Sequence, residues 1–362
     1  RRRHTRYISV TGVQTCALPI SGATAKLVNM RRHLLRELKS SPQLAVVDAD
    51  LAHLFGSWFN RGFLKLKRID WRTPAIVLEK LIAYEAVHEI TGWKDLRRRL
   101  AADRRCFGFF HPALPDEPLI FIEVALTDRI SDAVAPLLDQ ESPEADPARA
   151  DSAIFYSITN CQEGLRGISF GNLLIKQVAE VLSREFPRLR NFATLSPIPG
   201  FRAWLDAAAR DNETIAAILP ALKTPRWHLD AAAADALREP LLQLCGHYLL
   251  NAKKDASPLD AVSRFHLGNG ARLEKLHWLA DTSSAGMQRS AGMMVNYVYR
   301  LDDVEENHEA FVSNGTIATS HAIKKLARDC MAFSKRGNAK GDSADRKSTR
   351  LNSSHTDISR MP

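Results

Sequence analysis

The 362-residue sequence is poor in cysteine and lacks several motifs that mark common enzyme classes. Its five cysteines form no CxxC pair, which argues against a zinc or disulfide framework and fits a reduced cytoplasm. No apolar run approaches the ~20 residues that a membrane span requires. The GxGxxG of dinucleotide folds, the GK[ST] of phosphate loops and the HExxH of zinc hydrolases are all missing. We therefore expect neither a metal nor a membrane partner.

The net charge of +9 is concentrated at the two ends of the chain. Four arginines and no acid in 1–21, with a net +2 in 345–362, leave +3 for the residues between. A nearly balanced core argues against a nucleic acid partner, which needs a basic face. Both ends resemble translated sequencing-adapter read-through. We expect 1–21 to be a non-native arm and 336–362 to be a tail, non-native from about 345, so that the natural N-terminus is missing and the sequence does not tell whether a targeting signal exists.

Residues 22–103 are predicted to form a helical N-terminal domain, shortened at its start. LVNMRRHLLREL and PAIVLEKLIAYEAVHEI place apolar residues three and four apart, as on one face of a helix. Thr73-Pro74 marks a helix start. KDLRRRL, residues 94–100, is interpreted as a solvated helix face. At this length the chain as a whole is expected to form two domains.

Residues 104–335 are predicted to form a mixed sheet with a helical insertion. The buried character of PLIFIEVAL and AIFYSI is typical of internal strands. The predicted strands are 106–111, 118–126, 153–158, 191–195, 272–280 and 294–301, and the predicted helices are 127–140, 172–186, 202–252 and 318–333. The fold class is therefore α+β (α/β mixed sheet): a helical domain followed by a catalytic-type domain.

The segment CQEGLRGISFG, 161–171, follows a predicted strand and opens a predicted helix. Gly164, Gly167 and Gly171 permit sharp turns and close approach of a ligand, and Arg166 adds positive charge. The helix start offers unpaired N–H groups to an anion. Acetyltransferase-type folds hold the pyrophosphate of coenzyme A in such an arrangement. A glycine-rich turn that only permits packing is the alternative, and the spacing alone does not decide between them.

Two further motifs contain a serine and a histidine. In TLSPIPGF, Ser196 ends a predicted strand, and Pro197 restricts its backbone, so its hydroxyl has a fixed direction. Ser196 does not lie in a GxSxG elbow, which disfavours an α/β-hydrolase nucleophile. In RFHLGNGA, His266 stands between two apolar residues. A serine at a strand end is ordinarily a turn former and a lone histidine ordinarily structural, and the spacing does not connect the two.

Over roughly 22–335 the sequence resembles the malonyl-CoA decarboxylase family. LSPIPGF and FHLGNGA are the most specific segments, and IFYSITNCQEGLRGISFGNLLIKQVAEVL and MVNYVYRLDD extend the match. The resemblance implies a C-terminal domain of the GNAT-type acetyltransferase fold and conversion of malonyl-CoA to acetyl-CoA and CO₂. It implies no metal, biotin or other cofactor, since coenzyme A enters as part of the substrate. We also expect a cytoplasmic homo-oligomer with a role in fatty acid metabolism.

The resemblance also assigns roles to individual residues. The family's catalytic serine and histidine fall on Ser196 and His266, and the tyrosine that closes NYxY falls on Tyr299. The residues expected to bind the coenzyme A phosphates are Gly164, Arg166, Gly167, Ser169 and Gly171. Ser169 stands where some members carry a glutamate that helps to arrange the site, which puts a glutamate-assisted mechanism in doubt for this chain.

The expected chemistry is the formation and protonation of an enolate. Ser196 is interpreted as a hydrogen-bond donor to the carboxylate or the enolate, not as an acylated nucleophile. His266, with an ordinary pKa near ~6.5, is expected to supply the proton. Tyr299 and Asn296 complete the expected donor set. Three alternatives remain open: an acetyltransferase that uses an acceptor amine, a regulator that binds malonyl-CoA without converting it, and a serine hydrolase that releases free coenzyme A.

Overall fold

The computed structural model describes residues 22–168, 170 and 173–330, and over these residues a helical start leads into one large sheet. The helices are α1 Ala23–Glu37, α2 Ala45–Trp58, α3 Ala75–Tyr84, α4 Trp93–Arg99, α5 Ala135–Leu138, α6 Leu174–Glu185, α7 Phe201–Ala208, α8 Glu213–Ala216, α9 Leu219–Lys223, α10 Ala231–Asn251, α11 Ala261–Gly268, α12 Ser284–Ser290, α13 Val304–Asn314 and α14 His321–Arg328. The strands are β1 Lys65–Ile69, β2 Arg104–Phe110, β3 Pro118–Thr127, β4 Ser152–Asn160, β5 Asn191–Thr194, β6 Ser196–Pro197, β7 Lys253–Lys254, β8 Ser257–Pro258, β9 Arg272–His277 and β10 Met294–Val298.

The order of strands creates an opening in the middle of the sheet. The order is β1-β2-β3-β4-β5-β10-β6, with β9 on β10, and β4 runs parallel to β5. That parallel pairing joins 152–155 to 191–194 and stops there. Beyond it β4 continues to Asn160, whereas the other strand turns away as β6 and pairs with β10. The two strands therefore separate just after Thr194, where the chain reaches Ser196.

Apolar residues on both faces of the sheet explain why its central strands are buried. Along β3, Ile120, Ile122 and Val124 belong to the largest apolar cluster, and Phe121 and Ala125 pack on the opposite face. Side chains alternate between the faces of a strand, so a continuous apolar run indicates a strand covered on both sides. Helix α6 buries one face formed by Leu174, Ile175, Val178, Ala179 and Leu182.

The predicted fold class is confirmed, with local corrections. Residues 24–103 are not helical throughout, because β1 pairs with β2 at the sheet edge. The helix expected over 127–140 is wrong, since only α5, Ala135–Leu138, forms there. His266 lies on α11, a helix that is absent from the predicted elements. The boundary at 103/104 stays a prediction. The arm 1–21 and the tail 336–362 lie outside the described residues.

The interpretation of KDLRRRL as a solvated face is wrong. Arg98 and Arg99 are both buried. Arg98 pairs with Asp103 at 2.6 Å, and Arg99 pairs with Asp95 at 2.8 Å and with Glu123 of β3 at 2.9 Å. Burial raises the pKa of Glu123 to about 7 although Arg99 opposes that shift. Buried charges are tolerated only when they are paired and hydrogen-bonded, so these partners explain the location of the arginines.

Candidate active site

Ser196 lies at the point where β5 gives way to β6, and its side chain is buried. Its Oγ donates a hydrogen bond to Oγ1 of Thr194 at 2.8 Å. Thr194 Oγ1 also accepts the backbone N–H of Tyr297 at 3.1 Å. Pro197 and the pairing of β6 with β10 hold the backbone on the other side. The hydroxyl is therefore oriented by its surroundings, as the proline-containing sequence predicts.

His266 lies in the last turn of α11 with its ring between the serine and a tyrosine. Its Nε2 is 3.1 Å from Ser196 Oγ, and its Nδ1 is 2.8 Å from Tyr299 Oη. Because the serine hydrogen is directed at Thr194, we assign the Nε2–H tautomer, in which Ser196 accepts from the imidazole and Tyr299 donates to it. The three predicted catalytic residues thus form one hydrogen-bonded chain.

Burial changes the acid–base properties of this chain. His266 is only 3% exposed, and desolvation lowers its pKa to about 3. Its ring stacks on Tyr297 with centroids 4.5 Å apart. Burial also raises the pKa of the Tyr299 hydroxyl. The imidazole is therefore neutral at pH 7, and the expectation of an ordinary pKa near ~6.5 is wrong.

A cavity of about 210 Å³ opens beside Ser196 and His266, where β4 and β5 separate. It is lined by Val87, Phe155, Tyr156, Ile158, Asn160, Ser196, Pro197, Ala261, Val262, Phe265 and His266. We call it the inner cavity. Among the described residues that line it there is no lysine, arginine, aspartate or glutamate. The inner cavity is therefore lined mostly by apolar side chains, and the hydrogen-bonded pair of Ser196 and His266 lies on its wall.

A larger cavity of about 470 Å³, the outer cavity, adjoins the inner one, because Asn160 and Phe265 line both. Its wall includes Arg166 and Gly167 of the glycine loop, Leu174 at the start of α6, and Arg264 of α11. Gly167 has φ +81°, a conformation that favours glycine. The glycine loop, the start of a helix and two arginines thus meet on one cavity.

Gly164 has a different reason to be glycine. A Cβ at this position would lie 2.0 Å from the carbonyl oxygen of Val28 in α1, and Gly164 does not line the outer cavity. Arg31 of α1 donates from Nη1 to the carbonyls of Gly164 and Arg166, both at 2.9 Å. Helix α1 therefore supports the loop from behind. Gly164 is therefore a glycine that permits close packing, as the alternative interpretation of the loop predicts, whereas Arg166 and Gly167 line the outer cavity.

Two residues of the glycine-loop prediction, Ser169 and Gly171, lie outside the described residues. The sequence 167–171, GISFG, also satisfies the GxSxG pattern. However, β4 ends at Asn160 and α6 begins at Leu174, a longer connection than the tight strand–helix turn of a nucleophile elbow. The surrounding chain therefore does not match a hydrolase elbow.

Asn296 does not join the donor set that faces the cavity. Its amide donates to the carbonyl of Thr194 at 2.6 Å and its oxygen contacts His277 Nε2. Tyr297 supports the ring of His266 and Thr194 supports the hydroxyl of Ser196, and neither is among the predicted site residues. The alternation along NYVY contained the signal for Tyr297. Residues two apart on a strand lie on the same face, so Tyr297 is expected to lie on the same side as Tyr299.

Within the described ranges, no group of three or more His, Cys, Asp or Glu side chains is arranged to hold a metal ion. Nor does any helix in the described part of the chain combine the length and apolarity needed to cross a bilayer. The expectation that the chain needs no cofactor stays a prediction.

The chain matches two family models in sequence. The model of the malonyl-CoA decarboxylase C-terminal domain matches residues 62–337, and that of the N-terminal domain matches residues 18–59. Mitochondrial malonyl-CoA decarboxylase of Anser anser anser is 36% identical over 334 residues, which cover 84% of this chain and 66% of that protein. The Rattus norvegicus protein of the same name is 33% identical over 346 residues, covering 87% and 70%. The chain thus spans about two thirds of these relatives.

Two solved bacterial structures are similar to this chain. The crystal structure of malonyl-CoA decarboxylase from Rhodopseudomonas palustris superposes with a TM-score of 0.82 at 55% identity, covering 84% of this chain and 76% of that one. The enzyme of the same name from Agrobacterium vitis gives a TM-score of 0.79 at 53% identity with the same coverage. The arrangement of helices and sheet is therefore one that crystallography has observed in close relatives.

Proposed function

The chain belongs to the malonyl-CoA decarboxylase family, and from this premise we propose that it converts malonyl-CoA to acetyl-CoA and CO₂ with Ser196, His266 and Tyr299 in the reacting site. The observation that carries the proposal is the hydrogen-bonded chain of these three residues on an apolar cavity that adjoins the glycine loop. A carboxy-lyase needs donors for an enolate, a source of one proton and a chamber that disfavours a carboxylate. Each requirement has a matching feature.

The two cavities divide the substrate between them. The outer cavity would hold coenzyme A, with its phosphates near Arg166, Gly167 and the start of α6. The positive end of the α6 dipole and the two arginines, Arg166 and Arg264, favour an anionic group there. The thioester would then pass between Asn160 and Phe265 into the inner cavity. This route brings the malonyl group beside Ser196 and His266.

Loss of CO₂ breaks the bond between C2 and the carboxylate carbon, and the electron pair moves toward the thioester oxygen. The described lining residues of the inner cavity include no lysine or arginine to pair with the carboxylate. The charged group is therefore poorly solvated there, whereas the uncharged product CO₂ does not need such solvation. When the Ser196 hydrogen turns from Thr194 to the substrate, it becomes a donor for the developing enolate. One such donor is worth ~3 kcal/mol of the barrier.

The product requires one proton at C2, and the reaction takes one proton from solvent in each turnover. An imidazole whose pKa is about 3 does not carry the second proton at pH 7. We infer that the Nε2–H of neutral His266 is delivered to C2 while Tyr299 donates to Nδ1, so that no imidazolium is formed. As the product leaves, the Nδ1 proton returns to the Tyr299 oxygen and Nε2 takes up one proton from solvent, which restores the starting tautomer.

Product analysis on the full chain tests the proposal. The protein would be incubated with malonyl-CoA without an acceptor amine, beside Ser196→Ala, His266→Ala and the control Ser57→Ala, which changes an exposed serine of α2. Equal amounts of acetyl-CoA and CO₂ are expected from the wild type and the control, with at least ~100-fold less from the two site variants. Intact malonyl-CoA bound to folded wild type would support the regulator, and free coenzyme A would support the hydrolase.

Other expectations from the sequence remain part of this proposal. They are a homo-oligomer, no cofactor, no nucleic acid or membrane partner, a cytoplasmic location and a role in fatty acid metabolism. The curated relatives named above are mitochondrial proteins, so location does not follow from the family. Sedimentation of the purified chain would test the oligomeric state, and activity in a chelator-treated, cofactor-free preparation would test the cofactor expectation.

A further inference from the structure

One wall of the inner cavity comes from outside the sheet and outside α11. The described lining residues other than Val87 belong to β4, β6 or α11. Val87 belongs to the segment 85–91, which lies in the connection between α3 and α4. Its side chain is half-buried, and it lines the same cavity as Ser196 and His266. We call residues 85–91 the cavity wall.

The buried carboxylate of Glu85 holds this wall against the sheet. Its Oε1 accepts the backbone N–H of Val87 at 2.8 Å and that of His88 at 2.7 Å. The Ser157 hydroxyl lies 2.8 Å from both carboxylate oxygens, and Thr159 donates to Oε2 at 3.2 Å. Ser157 and Thr159 belong to β4, the strand whose residues Phe155, Tyr156, Ile158 and Asn160 line the cavity. Glu85 therefore sets the distance between the cavity wall and the strand opposite.

The far end of the wall is held by the buried ion pairs of α4. Arg99 donates from Nη2 to the carbonyl of Glu89 at 3.0 Å. Asp95, which pairs with Arg99, accepts the backbone N–H of Thr91 at 3.0 Å. The wall is thus anchored at both ends to buried charges, which explains why a short non-helical segment can keep a defined shape.

We propose that the cavity wall determines acyl selectivity: Val87 limits the substituent at C2 of the malonyl thioester, and Glu85 is the residue that positions Val87. The inference rests on the proposed function, because it takes the acyl group to occupy the inner cavity. A β-branched side chain is stiff at χ1, so Val87 does not simply rotate away from an added methyl. A methyl group forced into a packed apolar site is resisted, and one such group discriminates ~10–200-fold.

The direct test compares malonyl-CoA with methylmalonyl-CoA by their ratio of kcat/KM. Val87→Ala is expected to raise the methylmalonyl-to-malonyl ratio about tenfold, and Val87→Ile to lower it. Val181→Ala is the matched control, since this valine of α6 is also half-buried and does not line the inner cavity. If the methylmalonyl-to-malonyl ratio is unchanged in Val87→Ala while the wild type decarboxylates malonyl-CoA, the proposed role of the cavity wall is rejected and the proposed function stands.

A second pair of variants tests the positioning role. Glu85→Gln keeps one carbonyl oxygen that accepts from the two backbone N–H groups. Its amide N–H₂ can donate to the hydroxyl oxygens of Ser157 and Thr159, so the methylmalonyl-to-malonyl ratio of kcat/KM should match wild type. Glu85→Ala leaves those N–H groups unpaired and should raise the ratio as Val87→Ala does. Glu85→Ala with a wild-type ratio would contradict the positioning role.

Titration of both thioesters into wild type and Val87→Ala separates the two proposals. A change in relative affinity without turnover in the wild type would support the wall and reject the decarboxylase. Equal relative affinities in a catalytically silent protein would reject both.

Discussion

The low pKa of His266 predicts that this one side chain makes the fold less stable in acid. In the unfolded chain the imidazole titrates near ~6.5, whereas in the folded protein its pKa is about 3. Between these values the unfolded state binds a proton that the folded state does not. Stability therefore rises with pH across this window, and the free energy of unfolding decreases as the pH falls below ~6.5.

The magnitude follows from the same two values. At pH 5 the unfolded imidazole is about 1.5 pH units below its pKa, and the folded imidazole is still neutral, so the cost is ~2 kcal/mol relative to pH 7.5. Burial of His266 leaves little solvent to screen this effect. In His266→Gln the titration disappears, so the variant should gain ~2 kcal/mol relative to wild type between pH 7.5 and pH 5.

Urea unfolding at pH 7.5, 6.0 and 5.0 would measure this change. Other buried histidines lower the stability of both proteins in acid, so the quantity of interest is the difference between wild type and His266→Gln. Ser57→Ala, which changes an exposed and non-titrating residue of α2, serves as a control whose difference from wild type should stay constant with pH. A difference for His266→Gln that is equally constant would refute the neutral, desolvated imidazole and with it the inferred proton route.

Three further predictions concern single contacts. Gly164→Ala places a Cβ 2.0 Å from the Val28 carbonyl oxygen and should lower the free energy of unfolding by ~1–3 kcal/mol. Gly56→Ala, which has open space around it in α2, should raise the free energy of unfolding by ~0.5–1 kcal/mol. Equal effects of the two variants in urea unfolding would contradict this prediction. Arg99→Leu leaves its carboxylate partners unpaired and should cost ~3–5 kcal/mol in thermal or urea unfolding. Tyr299→Phe should lower kcat ~100-fold with KM nearly unchanged, and a pure KM effect in steady-state kinetics would contradict the relay.

Local sequence patterns predicted much of the sheet. The apolar runs that became β3 and β4 are buried on both faces, a condition that a strand of alternating polarity does not meet. The one-turn α5 shows the limit of this approach, because residues 127–140 have helical spacing but pack as a turn-rich connection. Periodicity describes one element at a time, and tertiary packing overrides it where the element is short.

Charge patterns were the least informative. Arg98 and Arg99 are charged residues in a helical segment, and such residues are ordinarily solvated. Their burial depends on Asp103 and Glu123, which lie outside α4. Nothing in the local sequence states that these carboxylates will be adjacent. The same holds for Glu85, whose hydroxyl partners lie 72 and 74 positions away.

Local sequence is enough to predict the strand, glycine loop and helix that face coenzyme A in the proposal, and the proline that orients Ser196, because these depend on backbone preferences of neighbouring residues. Tertiary structure alone decided that Ser196 and His266, 70 positions apart, are 3.1 Å from each other. It also decided that the imidazole is neutral, since desolvation is a property of everything that surrounds the ring. Contacts between distant segments and the pKa values that follow from them exist only once the chain has packed.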